Sequence, residues 1–123
     1  MLRFTATNDK NLLGRLYGEI FGEDFDRSVG YVLYDGDKPI GIAKMTVKTD
    51  VSVLERVGIL PEERGKGNGD FFTRSLIWGM SNVSEKVVIA AVMPYYEKFG
   101  FKAEGDIMTC KSSVVAFPCG CHK

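Results

Sequence analysis

The chain has 123 residues, 45% hydrophobic and 26% charged, a size and balance that suit one soluble globular domain over residues 1–123. Sixteen basic and sixteen acidic residues cancel, which argues against the basic face that recruits duplex nucleic acid or an anionic membrane surface. No apolar run approaches the roughly 20 residues that span a bilayer, and Met1–Lys10 lacks the apolar core of a secretion signal, so the expectation is a cytoplasmic protein with no nucleic-acid and no membrane partner.

The segment "LRFTA" alternates weakly and reads as a first strand. Asn8 or Asp9 can cap the helix that follows, in which Leu12, Leu13, Leu16 and Ile20 recur at helical spacing. A polar connection, "GEDFDRS", leads into two β-rich runs around Asp35-Gly36-Asp37, a strong hairpin signal. In "VSVLERVGIL" strict alternation places Val51, Val53, Val57 and Ile59 in one row, with the charge of Glu55 inside it. Phe72, Leu76, Ile77 and Met80 then follow a helical period that begins near Gly67 or Gly69. "KVVIAAV" is a continuous apolar run suited to a strand buried on both faces. Pro94 opens a short helix that Gly100 ends, and "FKAEGDIMTCKSSVVAF" reads as a last pair of strands. The order is strand, helix, three strands, helix, strand, helix, two strands. It predicts an α/β (α+β) fold around a single mostly antiparallel mixed sheet of six or seven strands, flanked by about three helices.

Between the fourth strand and the second helix stands "RGKGNG", Arg64 to Gly69. A glycine-rich turn that opens a helix presents bare backbone N–H groups, and the helix start adds orphan donors and a positive dipole end. Such a site favours phosphate, and Arg64 and Lys66 add positive charge beside it. Gly65, Gly67 and Gly69 lack the spacing of a dinucleotide fingerprint, and no Lys-Ser or Lys-Thr pair marks a P-loop. On the glycines alone, a phosphate site and a structural turn remain equally open.

"RGKGNG" matches the R/Q-x-x-G-x-G/A motif of the GCN5-related N-acetyltransferases, and the wider "VGILPEERGKGNG" resembles that family's strand–Pro–acidic–Arg–Gly phrase. Further on, "YYEKFGF", Tyr95 to Phe101, is similar to its second signature, a tyrosine and a charged stretch before Gly-Phe. The resemblance runs from Leu2 to about Phe117. It implies a GNAT-like fold with a splay between strands 4 and 5, and an acyl-CoA-dependent N-acyltransferase that moves acetyl from acetyl-CoA to a primary amine on a small molecule or protein. A non-catalytic acyl-CoA-binding or sensor module of the same fold is the alternative. Dimers are frequent in families of this kind, which admits a homodimer.

Carried over residue by residue, Arg64, Gly65, Lys66, Gly67, Asn68 and Gly69 would hold the pyrophosphate. Val57, Gly58 and Ile59 would bond the pantetheine arm through their main chain. Close backbone approach would explain the mid-strand Gly58, and so would a β-bulge. Tyr96 matches the tyrosine that serves as general acid near the CoA sulfur, with Tyr95 the more natural packing residue. Glu55 is the candidate base, unless it pairs with Lys44 or Lys48 of a neighbouring strand. Two departures stand out: "AAVMPYY" lacks the asparagine usual upstream of the tyrosine, and only one helix lies between the first two strands.

The chain ends in a cysteine-rich tail, 118–123, with Cys119, Cys121 and His122 downstream of Cys110. Thiolates and an imidazole can bind zinc or copper, but C-x-C-H is not a common zinc spacing. Three reduced cysteines, two of them in a frayed tail, with no metal, is the expectation.

Overall fold

A computed structural model describes residues 1–117. The strands are β1 (Leu2–Thr7), β2 (Gly30–Asp35), β3 (Lys38–Thr46), β4 (Val51–Ile59), β5 (Lys86–Ile89), β6 (Lys102–Glu104) and β7 (Ile107–Lys111). The helices are α1 (Lys10–Phe21), α2 (Asn68–Val83) and a 3₁₀ helix at Pro94–Phe99, with one-turn 3₁₀ segments at Pro61–Glu63 and Ser112–Val114. The strands form one seven-stranded sheet in the order β1-β2-β3-β4-β5-β7-β6. β4 and β5 run parallel, whereas β1–β2, β2–β3, β5–β7 and β6–β7 are antiparallel. The mixed, mostly antiparallel sheet read from the sequence is the one observed. Among the described residues no helix is long and apolar enough to cross a membrane.

The described residues group into two compact units, and β4 and α2 contribute to both. The first comprises Met1–Met45 and Arg56–Ser75. Its α1 starts at Asp9, whose Oδ1 accepts the Leu12 N–H at 3.2 Å, so Asp9 is the cap of the two candidates. The helical spacing of Leu13, Leu16 and Tyr17 turns one stripe inward, where they cluster with Val32, Ile42 and Leu60. Each such aliphatic side chain, fully buried, contributes roughly 1.5–3 kcal/mol. The Leu60 N–H donates to the Ile40 carbonyl at 2.8 Å and fixes the end of β4 against β3. Gly58 has a packing reason. A Cβ there would meet Ile20 Cγ2 at 2.6 Å and Phe21 Cζ at 2.8 Å, so its missing side chain is what lets α1 lie against β4.

The second unit comprises Thr46–Glu55 and, among the described residues, 76–117. Its β4–β5 ladder runs from Val51↔Lys86 to Leu54↔Ile89, and the Ala90 N–H adds one bond to the Leu54 carbonyl. β5 ends there, while β4 continues to Ile59. The expected strand at Lys86–Val92 is thus shorter, and it is not buried throughout. Only Val87 and Ile89 are fully buried, and Ala90–Met93 are exposed. The register explains the early stop: Ile89 pairs with Met108, one residue from the start of β7. Phe99, Phe101 and Met108 fill this unit's interior.

Along β4, the Ser52 hydroxyl is hydrogen-bonded to that of Ser84, the residue after α2, and farther along, in the first unit, Ile59 Cγ1 lies 3.7 Å from where a Cβ of Gly69 would stand.

Gly58→Val should destabilise the chain by about 1–3 kcal/mol through overpacking against α1. Gly14→Ala, on the exposed side of α1 with nothing within 4 Å of the new methyl, should stabilise it by about 0.5–1 kcal/mol. Urea unfolding of both variants checks the contrast.

Candidate functional site

The turn from β4 into α2 lies wholly within the first unit. It begins with Pro61–Glu63, a 3₁₀ turn closed by the Glu63 N–H to the Leu60 carbonyl at 2.9 Å. Arg64 Nε donates back to the Ile59 carbonyl at 2.9 Å, so part of the guanidinium holds the turn shut. Gly65 and Gly67 follow at φ 81° and 82°. This left-handed region costs an ordinary residue roughly 1–2 kcal/mol, which is why the chain uses glycine at both positions. Nothing lies within 4 Å of where a Cβ would stand on either one, so the outer surface of the turn is bare backbone facing open space. Asn68, buried at the head of α2, donates from Nδ2 to the Glu63 carbonyl at 3.0 Å, and the Phe71 N–H closes the first helical turn on the Gly67 carbonyl at 3.0 Å.

The charges around this turn are nearly balanced. Glu63, 11% exposed at its side chain, accepts from Lys38 Nζ at 2.9 Å and from Lys66 Nζ at 3.2 Å. These two hydrogen bonds hold its carboxyl below the usual carboxylate range and raise the Lys38 ammonium in turn. Asp70 in the first turn of α2 is bonded to Arg74 Nε at 2.8 Å. Against Lys38, Arg64, Lys66 and Arg74 stand Glu62, Glu63 and Asp70. A phosphate at this turn would therefore be met by the orphan N–H groups of the turn and helix start more than by net charge. Glu63 and Lys38 escaped the sequence reading, because only the fold brings residues 25 positions apart into one ion pair.

Val57, Gly58, Ile59 and Arg64 through Gly69 all fall in the first unit, whereas Glu55 and Tyr96 fall in the second. Thr46 Oγ1 donates to Glu55 Oε2 at 2.7 Å. Lys44, one suggested partner for Glu55, instead binds Asp26 at 3.2 Å. Tyr96 is 5% exposed, and its ring packs edge-on against Tyr95 at 5.2 Å and Phe101 at 6.2 Å. Burial pushes its phenol above the ordinary value, so it keeps its proton at neutral pH. Tyr95, expected to be the packing residue, is the more exposed of the two. Cys110 is buried, which raises its thiol and leaves it a core residue rather than a nucleophile. Cys119, Cys121 and His122 lie outside the described residues, among which no group of three or more His, Cys, Asp or Glu side chains could hold a metal.

No protein-family model matches the chain. An uncharacterized N-acetyltransferase, YjcF, from Bacillus subtilis is 28% identical over 75 residues, which is 58% of this chain and 54% of the relative. The chain thus matches about half the length of that curated relative. The ribosomal-protein-S18-alanine N-acetyltransferase of Escherichia coli superposes with a TM-score of 0.73 at 14% identity, covering 100% of this chain and 99% of its own. A GNAT family acetyltransferase from Brucella melitensis, solved in complex with acetyl-CoA, gives 0.67 at 14% identity over 90% of this chain and 88% of its own. The fold is that of the GNAT acetyltransferases.

Because the Glu63 carboxyl is lowered, the stability contributed by the Lys38–Glu63–Lys66 cluster is fully present above the ordinary glutamate value of 4.5 and is lost as pH falls through the lowered one. Glu63→Gln should cost stability at pH 7 and flatten the acid limb of the stability curve. Urea midpoints measured across that limb for both proteins check it.

Proposed function

We propose that this chain, which has the fold of the GNAT acetyltransferases, is a single N-acyltransferase domain that moves an acetyl group from acetyl-CoA to a primary amine by direct attack. The observation that carries the reading is the turn Arg64–Gly69, in which two left-handed glycines expose bare backbone at the start of α2. Acetyl-CoA is a substrate here, and its pyrophosphate suits that surface by chemistry: an anion, orphan donors and no intervening Cβ. Lys66, 60% exposed at its side chain, is available to the same anion. The main chain of Val57, Gly58 and Ile59 would bond the pantetheine arm. The Gly58 side-chain position is already accounted for by α1, so any part it plays in binding is through backbone alone.

In the transfer the amine nitrogen attacks the thioester carbonyl carbon. A C–N bond forms, the C–S bond breaks, one amine proton goes to a base, and the thiolate takes up another. Tyr96 is the proposed acid: its buried phenol is protonated and can donate to the departing sulfur. Glu55 is the proposed base, oriented by the hydroxyl of Thr46. Both transfers are proton shuttling by side chains that solvent resets.

At a hundredfold excess over its dissociation constant, acetyl-CoA should add about 2.7 kcal/mol to stability and raise the melting temperature, while ATP and NAD should not. Gly67→Ala should abolish that shift. Gly36→Ala, at φ 62° in the β2–β3 turn, carries similar backbone strain and should keep it. Tyr96→Phe should retain the shift and lower amine-dependent CoA release by about a hundredfold. Retained shift with no turnover in the parent chain against any amine would favour a binding module instead.

A further inference from the structure

From Ser75 to Ser84, along the second half of α2 and one residue past it, the sequence has no charged residue. Leu76, Ile77 and Met80 are buried, as the inner stripe of an amphipathic helix should be. The opposite side of such a helix is ordinarily charged. In α1 it is, since Lys10, Arg15 and Glu19 are all exposed there. In the second unit, α2 instead turns Trp78, Asn82 and Val83 outward, with Gly79 beside Trp78. Trp78 is 61% exposed, and it is the only tryptophan in the chain.

The few polar groups of this face do little to change its character. Ser81 Oγ donates to the Trp78 carbonyl at 2.8 Å, so that hydroxyl is turned back on the helix. Asn82 carries an amide, which both donates and accepts. Gly79 leaves a notch, because nothing lies within 4 Å of where its Cβ would stand. Glycine inside a helix is destabilising relative to alanine, and no packing against the described residues requires it here. These features select the occupant. A two-fold contact sets a patch against a copy of itself, so any charge on it would face its like. This patch has none. Its amide can pair with a second amide, and its largest knob stands beside its own notch. A surface that is its own complement fits a second copy of the chain.

We propose that two copies of this chain associate about a two-fold axis through the outer face of α2 between Trp78 and Val83. Trp78 of each protomer lies over Gly79 of its partner, and the Asn82 amides pair across the contact. Tryptophan seated in a desolvated pocket is the usual anchor of such an interface. The patch is short, so the dimer is a reversible one rather than an obligate one. The contact does not depend on the transferase reading and stands if that reading fails.

The single tryptophan makes the contact its own reporter. Sedimentation equilibrium of the full chain gives the oligomeric state, and the emission of the same samples shows whether Trp78 has left water. As concentration rises to about 1 mM, the chain should pass from monomer to dimer. The emission should move to shorter wavelength along the same curve. Trp78→Ala should weaken association about thirtyfold, the loss expected of an interface anchor. Gly79→Leu fills the notch and should weaken it about tenfold. Neither change threatens the fold, because Trp78 is exposed and Gly79 has open space beside it. Gly14→Ala, on α1, should leave association unchanged. A chain that stays monomeric at every concentration overturns the proposal. So does a dimer that forms without a change in emission, or one that survives both substitutions, since its contact lies elsewhere. Short-wavelength emission already present in the monomer overturns it too, because Trp78 would then be covered within its own chain.

Discussion

The hydrogen bond from Arg64 Nε to the Ile59 carbonyl is the constraint on which the candidate site depends. It folds the chain back on the end of β4 at the point where the strand must give way to a helix. Gly65 and Gly67 then take left-handed conformations that no other residue adopts cheaply. Asn68 ties the first residue of α2 to the Glu63 carbonyl, and Glu63 is clamped in turn by Lys38 and Lys66. Side chains thus do the holding, and the backbone facing outward is left bare. A turn built this way is already shaped before any ligand arrives, so binding need not be offset by the ordering of a loop.

That arrangement gives most of the conspicuous charges a structural task. Glu63, Lys38 and the Nε edge of Arg64 support the turn, and Lys66 does so partly. The near balance of charge means that the turn would recognise an anion by aimed donors more than by a long-range field.

Much of this was legible in the sequence, and the reasons differ by element. The capping of α1 at Asp9 and the hairpin around Gly36 follow from local chemistry, so they were read within one residue. The glycine turn was legible because its spacing excluded the commoner phosphate motifs, while Phe72, Leu76 and Met80 announced a helix directly after it. The end of β5 was misread because an apolar run says nothing about where the neighbouring strand begins. The role of Gly58 needed α1 in place, since only Ile20 and Phe21 show why a methyl cannot stand there. Glu63 was invisible as a clamp because its partner Lys38 is distant in sequence.

The central claim is that the bare backbone of Arg64–Gly69 is where acetyl-CoA is held. The most direct measurement is an amide-resolved NMR titration of the chain with acetyl-CoA. The account predicts that the N–H signals of Gly65, Gly67, Asn68 and Gly69 shift saturably and together, and that their hydrogen exchange slows. Saturable shifts confined to other parts of the chain, or none at all at millimolar acetyl-CoA, would contradict it and leave the turn a purely structural device.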